Sequence, residues 1–115
     1  MNGVERIASE RARQMAAEGW SAEHDDLHDG SELAVAAACY ALPERLYVQR
    51  QDASGVHFVD PWPWELHEDK RKTHGANFPN HIPTSGAERM RFLEKAGALI
   101  AAEIDRLLRE ESRRS

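Results

Sequence analysis

Residues 18–33, "EGWSAEHDDLHDGSEL", gather Glu23, His24, Asp25, Asp26, His28, Asp29 and Glu32 around Trp20, with Gly19 and Gly30 on the flanks. Imidazoles and carboxylates at this density support three kinds of chemistry. The first is metal binding. His24 and His28 are four apart and on a helix would share a face, with Asp25 or Glu32 as a third ligand. The two glycines make the segment read as loop, however, where that spacing loses its geometric meaning. Paired cysteines and an H-E-x-x-H run are missing, and the His24–Asp25 pair lacks the further ligands of HD-type phosphohydrolases. No metal ligand is assigned.

The second chemistry is Mg²⁺-dependent nucleotide pyrophosphate hydrolysis in an all-helical, MazG-like frame. It needs carboxylates projecting from facing helices, so that ions bridge the phosphates and activate water. Here Glu32 stands alone, and Glu103 and Asp105 are two apart, so on a helix they point in different directions. The third is an aromatic ligand pocket. Trp20, Tyr40, Trp62, Trp64 and Phe78 lie in or beside irregular segments. A tryptophan there offers a flat face for stacking a base, while Asp25, Asp26 and His28 read polar edges or a ribose. In that picture Trp62 or Trp64 closes the pocket, and Arg45, Arg50, Lys70 and Arg71 are the candidate phosphate partners. The bland alternative for "WPW" is that it staples a loop to the core.

Three helices must position these groups. Residues 4–18 carry Val4, Ile7, Arg11 or Ala12, and Met15 at helical spacing, with Gly19 as the stop. Residues 31–42, "SELAVAAACYAL", are alanine-rich and apolar nearly all round. Asp29 and Glu32 have capping-box spacing, and Pro43 ends the run. Small side chains let another helix approach closely, which places this segment at the centre. Ser85 and Glu88 open the third helix, 86–110, with Met90, Leu93, Ala96 or Gly97, Ile100, Ile104, Leu107 and Leu108 as its apolar face. At about 1.5 Å per residue it spans roughly 37 Å, more than a domain of this size needs, so its far end is expected to pack against another subunit. Two β-prone runs, 46–49 and 56–59, read as a small hairpin turned at Asp52 to Gly55. The rest of 44–84 reads as a long ordered loop, a kind of segment more often functional than idle. The expected fold is mainly α: one domain over 1–115, three principal helices, a small β-hairpin and that loop.

Composition narrows the functions. The chain has 115 residues, 15 Lys and Arg against 20 Asp and Glu, and a formal net charge of -5. A nucleic-acid surface needs a concentrated basic patch, so none is expected. Cys39 is the single cysteine and sits in an apolar run, which suits a core residue in a reducing compartment. No stretch approaches the roughly 18 apolar residues of a membrane span. A soluble cytoplasmic protein without a membrane partner or cofactor is expected.

At "ERARQMAAEGWSAEHDDLHDGSELAVAAACYA" and "LEKAGALIAAEIDRL" the chain resembles a family of small phage and prophage proteins of unknown function. The shared marks are R-x-x-Q-x-x-x-E-G-W, E-H-D-D-x-H and K-A-G-A-L-I-x-A-E-I. More distantly, "GWSAEHDDLH" before "ELAVAAACY" is similar to the core of ryanodine-receptor (RyR) repeat domains, at Gly19, Trp20, Ser21, Asp25, Asp26, His28 and Tyr40. It departs from them in having no aromatic after Ser21 and "DGSEL" in place of a proline-rich helix entry. The resemblance implies a nucleotide-like ligand near Trp20. It also implies a non-catalytic, phage-derived protein in the cytoplasm of a bacterial host, sequestering a nucleotide-derived immune signal. The pyrophosphohydrolase and an inhibitor that binds a host protein stand as alternatives.

Overall fold

A computed structural model describes residues 1–65, 68–71 and 85–114, and in them four helices and one two-stranded antiparallel sheet. Helix α1, Gly3–Ala17, starts from a capping box: Asn2 Oδ1 accepts the Glu5 amide at 2.9 Å, and the Glu5 carboxylate accepts the Asn2 amide at 3.1 Å. It stops at Gly19, whose φ of 69° turns the chain so that the Trp20 amide reaches the Gln14 carbonyl at 3.2 Å. A side chain is rarely at ease in that left-handed conformation, hence glycine.

The segment that the two glycines mark as loop contains a fourth helix, α2, Ala22–Asp26. The Ser21 hydroxyl accepts the His24 amide at 3.2 Å and caps it. The described residues therefore hold four helices, one of them this short element, where three principal ones are expected. Helix α3, Glu32–Ala41, also begins differently from its expected capping box. Its cap residue is Ser31 at φ 72°, with no side-chain cap bond, and the Glu32 carboxylate instead accepts the Gly30 amide at 3.3 Å. Strands β1, Val48–Asp52, and β2, Gly55–Val59, pair from Val48 with Val59 to Asp52 with Gly55. Both are exposed along most of their length. The hairpin thus stands off the core rather than building it.

Helix α4, Gly86–Arg114, has 29 residues. Its expected capping box forms, with Ser85 Oγ and the Glu88 carboxylate each accepting the other's amide at 3.2 Å. The core lies between α3 and α4, where Leu33, Ala36, Ala37 and Tyr40 meet Phe92, Ala96, Leu99 and Ala102. Alanine on both helices brings the axes close, and this makes α3 the central element. Cys39 of α3 is fully buried outside that cluster, and burial pushes its thiol up to about 11, leaving it a neutral packing group. Helix α1 crosses α4 at Gly97, where a Cβ would stand 2.5 Å from Ile7 Cδ1.

One expectation about α4 is reversed. Leu93, Ile100, Ile104, Leu107, Leu108 and Met90, read from their spacing as the core face, are 44% to 62% exposed. The face turned inward is smaller and partly polar: Phe92, Ala96, Leu99, Ala102, Glu103 and Arg106. Glu103 and Arg106 tolerate that position because they pair with each other at 2.5 Å. The long loop expected through residue 84 falls largely on 66–67 and 72–84, with Phe78 among them, outside the described residues.

Candidate functional site

All four helices, residues 62–65, Glu68 and Lys70 contribute to a cavity of about 760 Å³. That is within the range of about 300–1,000 Å³ usual for small-molecule sites. Its aromatic wall is continuous. Trp20 and His24 stack with centroids 5.4 Å apart and planes within 8°, and His28 meets His24 at 4.9 Å and Trp64 at 5.3 Å. Trp64 then contacts Trp62 edge-on at 5.6 Å, and Trp62 contacts Tyr40 edge-on at 5.5 Å. The side chains come from the turn after α1, from α2 and the residues just beyond it, from α3, and from the "WPW" strap.

The strap is fixed from below. Asp60 accepts the Trp62 amide at 3.0 Å and two bonds from Arg71 Nη2 at 3.0 and 3.1 Å. Arg71, whose side chain is fully buried, also pairs with Asp69 at 2.8 Å and lies 5.4 Å from the Trp62 ring centroid. Burial alone would lower the pKa of this guanidinium, but the two aspartates outweigh it and raise it. Trp62 donates its indole N–H to the Glu65 carbonyl at 3.1 Å, and Tyr40 Oη accepts the Lys70 amide at 3.2 Å. Burial pushes the Tyr40 phenol up to about 12, so it is neutral and available as a donor.

Of the residues singled out in the sequence, Trp20, His28, Tyr40, Trp62, Trp64 and Lys70 border this cavity. Asp25 and Asp26 do not; their carboxylates are committed elsewhere. Asp25 is fully buried and accepts from Arg11 at 2.9 Å and from His24 Nδ1 at 3.0 Å. Asp26 receives Arg109 at 2.8 Å and Arg113 at 2.7 Å, whose hydrogen bonds lower its pKa. These pairs tie α2 to α1 and to the far end of α4, and so hold His24 and His28 in the wall. Arg45 pairs with Asp60 at 3.4 Å, and Arg50 donates to the Gln49 carbonyl at 3.2 Å on the hairpin. Of the four candidate phosphate partners, only Lys70 reaches the cavity.

Sequence reasoning considered His24 only as a metal ligand and missed Glu10, Arg13, Gln14 and Lys95; all five line the cavity. Glu10 and Gln14 are 3% and 2% exposed, and both belong to the α1 face that also carries Ile7. That shared face was the available signal, hidden because the residues are polar. Burial would raise the Glu10 pKa, but hydrogen bonds from Arg13 and Arg91 outweigh it and bring it to about 2. Gln14 Nε2 donates to Glu10 at 3.1 Å, whereas Gln14 Oε1 and Trp64 Nε1 are buried with no partner among the described residues. Glu32, Glu103 and Asp105, the carboxylates considered for hydrolysis, come no closer to forming one constellation. Glu32 bonds Gly30, Glu103 bonds Arg106, and Asp105 faces Arg11 at 3.8 Å. Among the described residues no group of three or more His, Cys, Asp or Glu could hold a metal ion, and no helix is long and apolar enough to cross a membrane.

The chain matches no family model, no curated protein and no solved structure.

Proposed function

We propose that this chain is a non-catalytic binding protein that holds a nucleotide-like ligand in the aromatic cavity. The observation that carries the reading is the unbroken run of rings from Trp20 to Tyr40 along one wall of a cavity of about 760 Å³. Aromatic faces bind bases by stacking, and the histidines and Gln14 beside them supply polar readout. Binding without turnover suits sequestration of a nucleotide signal, as a phage protein would do in the cytoplasm of its host. A second copy of the chain is the partner that fits the apolar stripe on α4.

The test is a thermal-shift series with linear, cyclic and ADP-ribose-type nucleotides, with and without Mg²⁺, followed by recovery of the nucleotide. A metal-independent rise in melting temperature with the ligand recovered intact is expected. Trp20→Ala should then weaken binding at least about tenfold, given roughly 1–3 kcal/mol per stacked base. Consumption of the nucleotide would replace this reading with hydrolysis, and undiminished binding by Trp20→Ala would remove the ligand from this cavity.

A further inference from the structure

The charges on the cavity wall are mostly settled among themselves, and the exception defines what the ligand must bring. Glu10 is held by Arg13 at 2.6 Å and by Arg91 at 2.7 Å, and Arg13 also reaches Glu18 at 3.4 Å. Lys95, from α4, lines the same cavity. Its ammonium lies 5.6 Å from the centroid of the Tyr40 ring and has no carboxylate partner among the described residues. Burial, and then Arg91 nearby, lower its pKa. Glu10 and Glu18 also act on it but are held by arginines, so a half-buried cation over the Tyr40 ring gains from an anion of its own.

Two further groups on the wall are unfilled. Gln14 is 2% exposed, its amide nitrogen is spent on Glu10, and its Oε1 accepts nothing from the described residues. Trp64 Nε1 donates to nothing among the described residues. The cavity therefore offers the Lys95 ammonium alongside flat aromatic faces, with an unfilled acceptor and an unfilled donor just behind its surface. Its other charges limit how much negative charge it takes. Four carboxylates, of Glu10, Glu18, Glu65 and Glu68, stand on the wall against Arg13, Lys70 and Lys95. Each phosphate beyond the first would be pressed towards carboxylates, with Arg13 already committed.

Resting on the reading of the cavity as a nucleotide-type site, we propose that its ligand is a nucleoside monophosphate. Lys95 holds the phosphate, the aromatic wall stacks the base, and Gln14 Oε1 accepts a donor from base or ribose.

The test is calorimetric titration of the full chain with the adenine, guanine, cytosine and uracil nucleosides, and with their 5′-monophosphates and triphosphates. For the preferred base, the monophosphate should bind at least tenfold tighter than the nucleoside and tighter than the triphosphate. Lys95→Met keeps the length of the side chain and breaks no ion pair, so the melting temperature should hold. In that variant monophosphate affinity should fall to the nucleoside level, with nucleoside affinity unchanged within about twofold. A monophosphate no tighter than its nucleoside, a triphosphate tighter than either, or equal losses for both ligands in Lys95→Met would each overturn the assignment. Nucleoside binding without a gain from phosphate would sink this inference and leave the pocket standing. Silence from every nucleoside and nucleotide would sink both.

Discussion

A buried amide oxygen without a donor costs about 1–3 kcal/mol, and Gln14, which lines the cavity, carries one that no described residue satisfies. Replacing it with methionine, of similar length, removes that cost while also losing the donation to Glu10 at 3.1 Å. The two effects oppose each other. Gln14→Met should therefore leave stability within about 1 kcal/mol of wild type, whereas ligand affinity should drop about tenfold. Chemical denaturation and titration on the same sample separate the two readouts. A variant that binds as well as wild type would show that Oε1 reads nothing. Asp25 and Asp26 make the opposite case at this scale. They are the most conspicuous acids in the sequence, yet each is consumed by arginines and works by holding its helix in place. Residue type identified a polar cluster correctly but could not tell contact groups from tethers, because the tethering cations lie up to 87 residues away along the chain.

Some elements were legible from local signals. Gly19 and Ser85 with Glu88 sit at helix ends as the sequence reading expects, whereas the equally local box of Asn2 with Glu5 went unread and that of Asp29 with Glu32 does not form. Ser21 was an equally local cap for α2, outweighed by the glycines that flank the segment. What could not be read was which face of α1 turns inward, since Glu10 and Gln14 look like solvated positions until Arg91 arrives from α4. That contact gives a pH test. The Glu10 carboxyl sits at about 2 in the fold against an ordinary 4.5. A depressed acid contributes stability above its unfolded pKa and loses it as pH falls through the folded one. Wild type should thus lose stability progressively from about pH 4.5 to pH 2 through this group. Glu10→Gln should be less stable by about 1–2 kcal/mol at neutral pH, since it removes the carboxylate that Arg13 and Arg91 share and leaves them Glu18 at 3.4 Å and Glu94 at 3.3 Å, and its acid limb should be flatter. Thermal melts of both proteins across that range settle it, and parallel curves would remove Glu10 as the α1–α4 tie.

At the scale of the whole molecule the main discrepancy lies on α4. Its inward face is shared between α3 and α1, and apart from Leu99 its large aliphatic side chains lie outside. The stripe Leu93, Ile100, Ile104 and Leu107 repeats at steps of seven, four and three, with Leu108 and Met90 at its margin and no charged residue among them. Sequence periodicity detected a real apolar seam but could not say that this face looks away from the chain's own core. At about half exposure each, these six side chains offer roughly 600 Å² of aliphatic surface, the upper end for a patch on a monomer. It is also most of the ~800 Å² per partner that a specific interface buries. We expect a second copy to cover it, since an antiparallel pairing would set Leu93 opposite Leu107 around Ile100. Light scattering behind size exclusion should therefore give twice the chain mass. Ile104→Glu, which places a charge mid-stripe, should halve that mass while α-helical content and nucleotide-induced stabilisation persist. The side chain is 52% exposed, so its loss costs the single chain little. A monomeric wild type at about 100 µM, or an Ile104→Glu variant that stays dimeric, would assign the stripe to some other occupant.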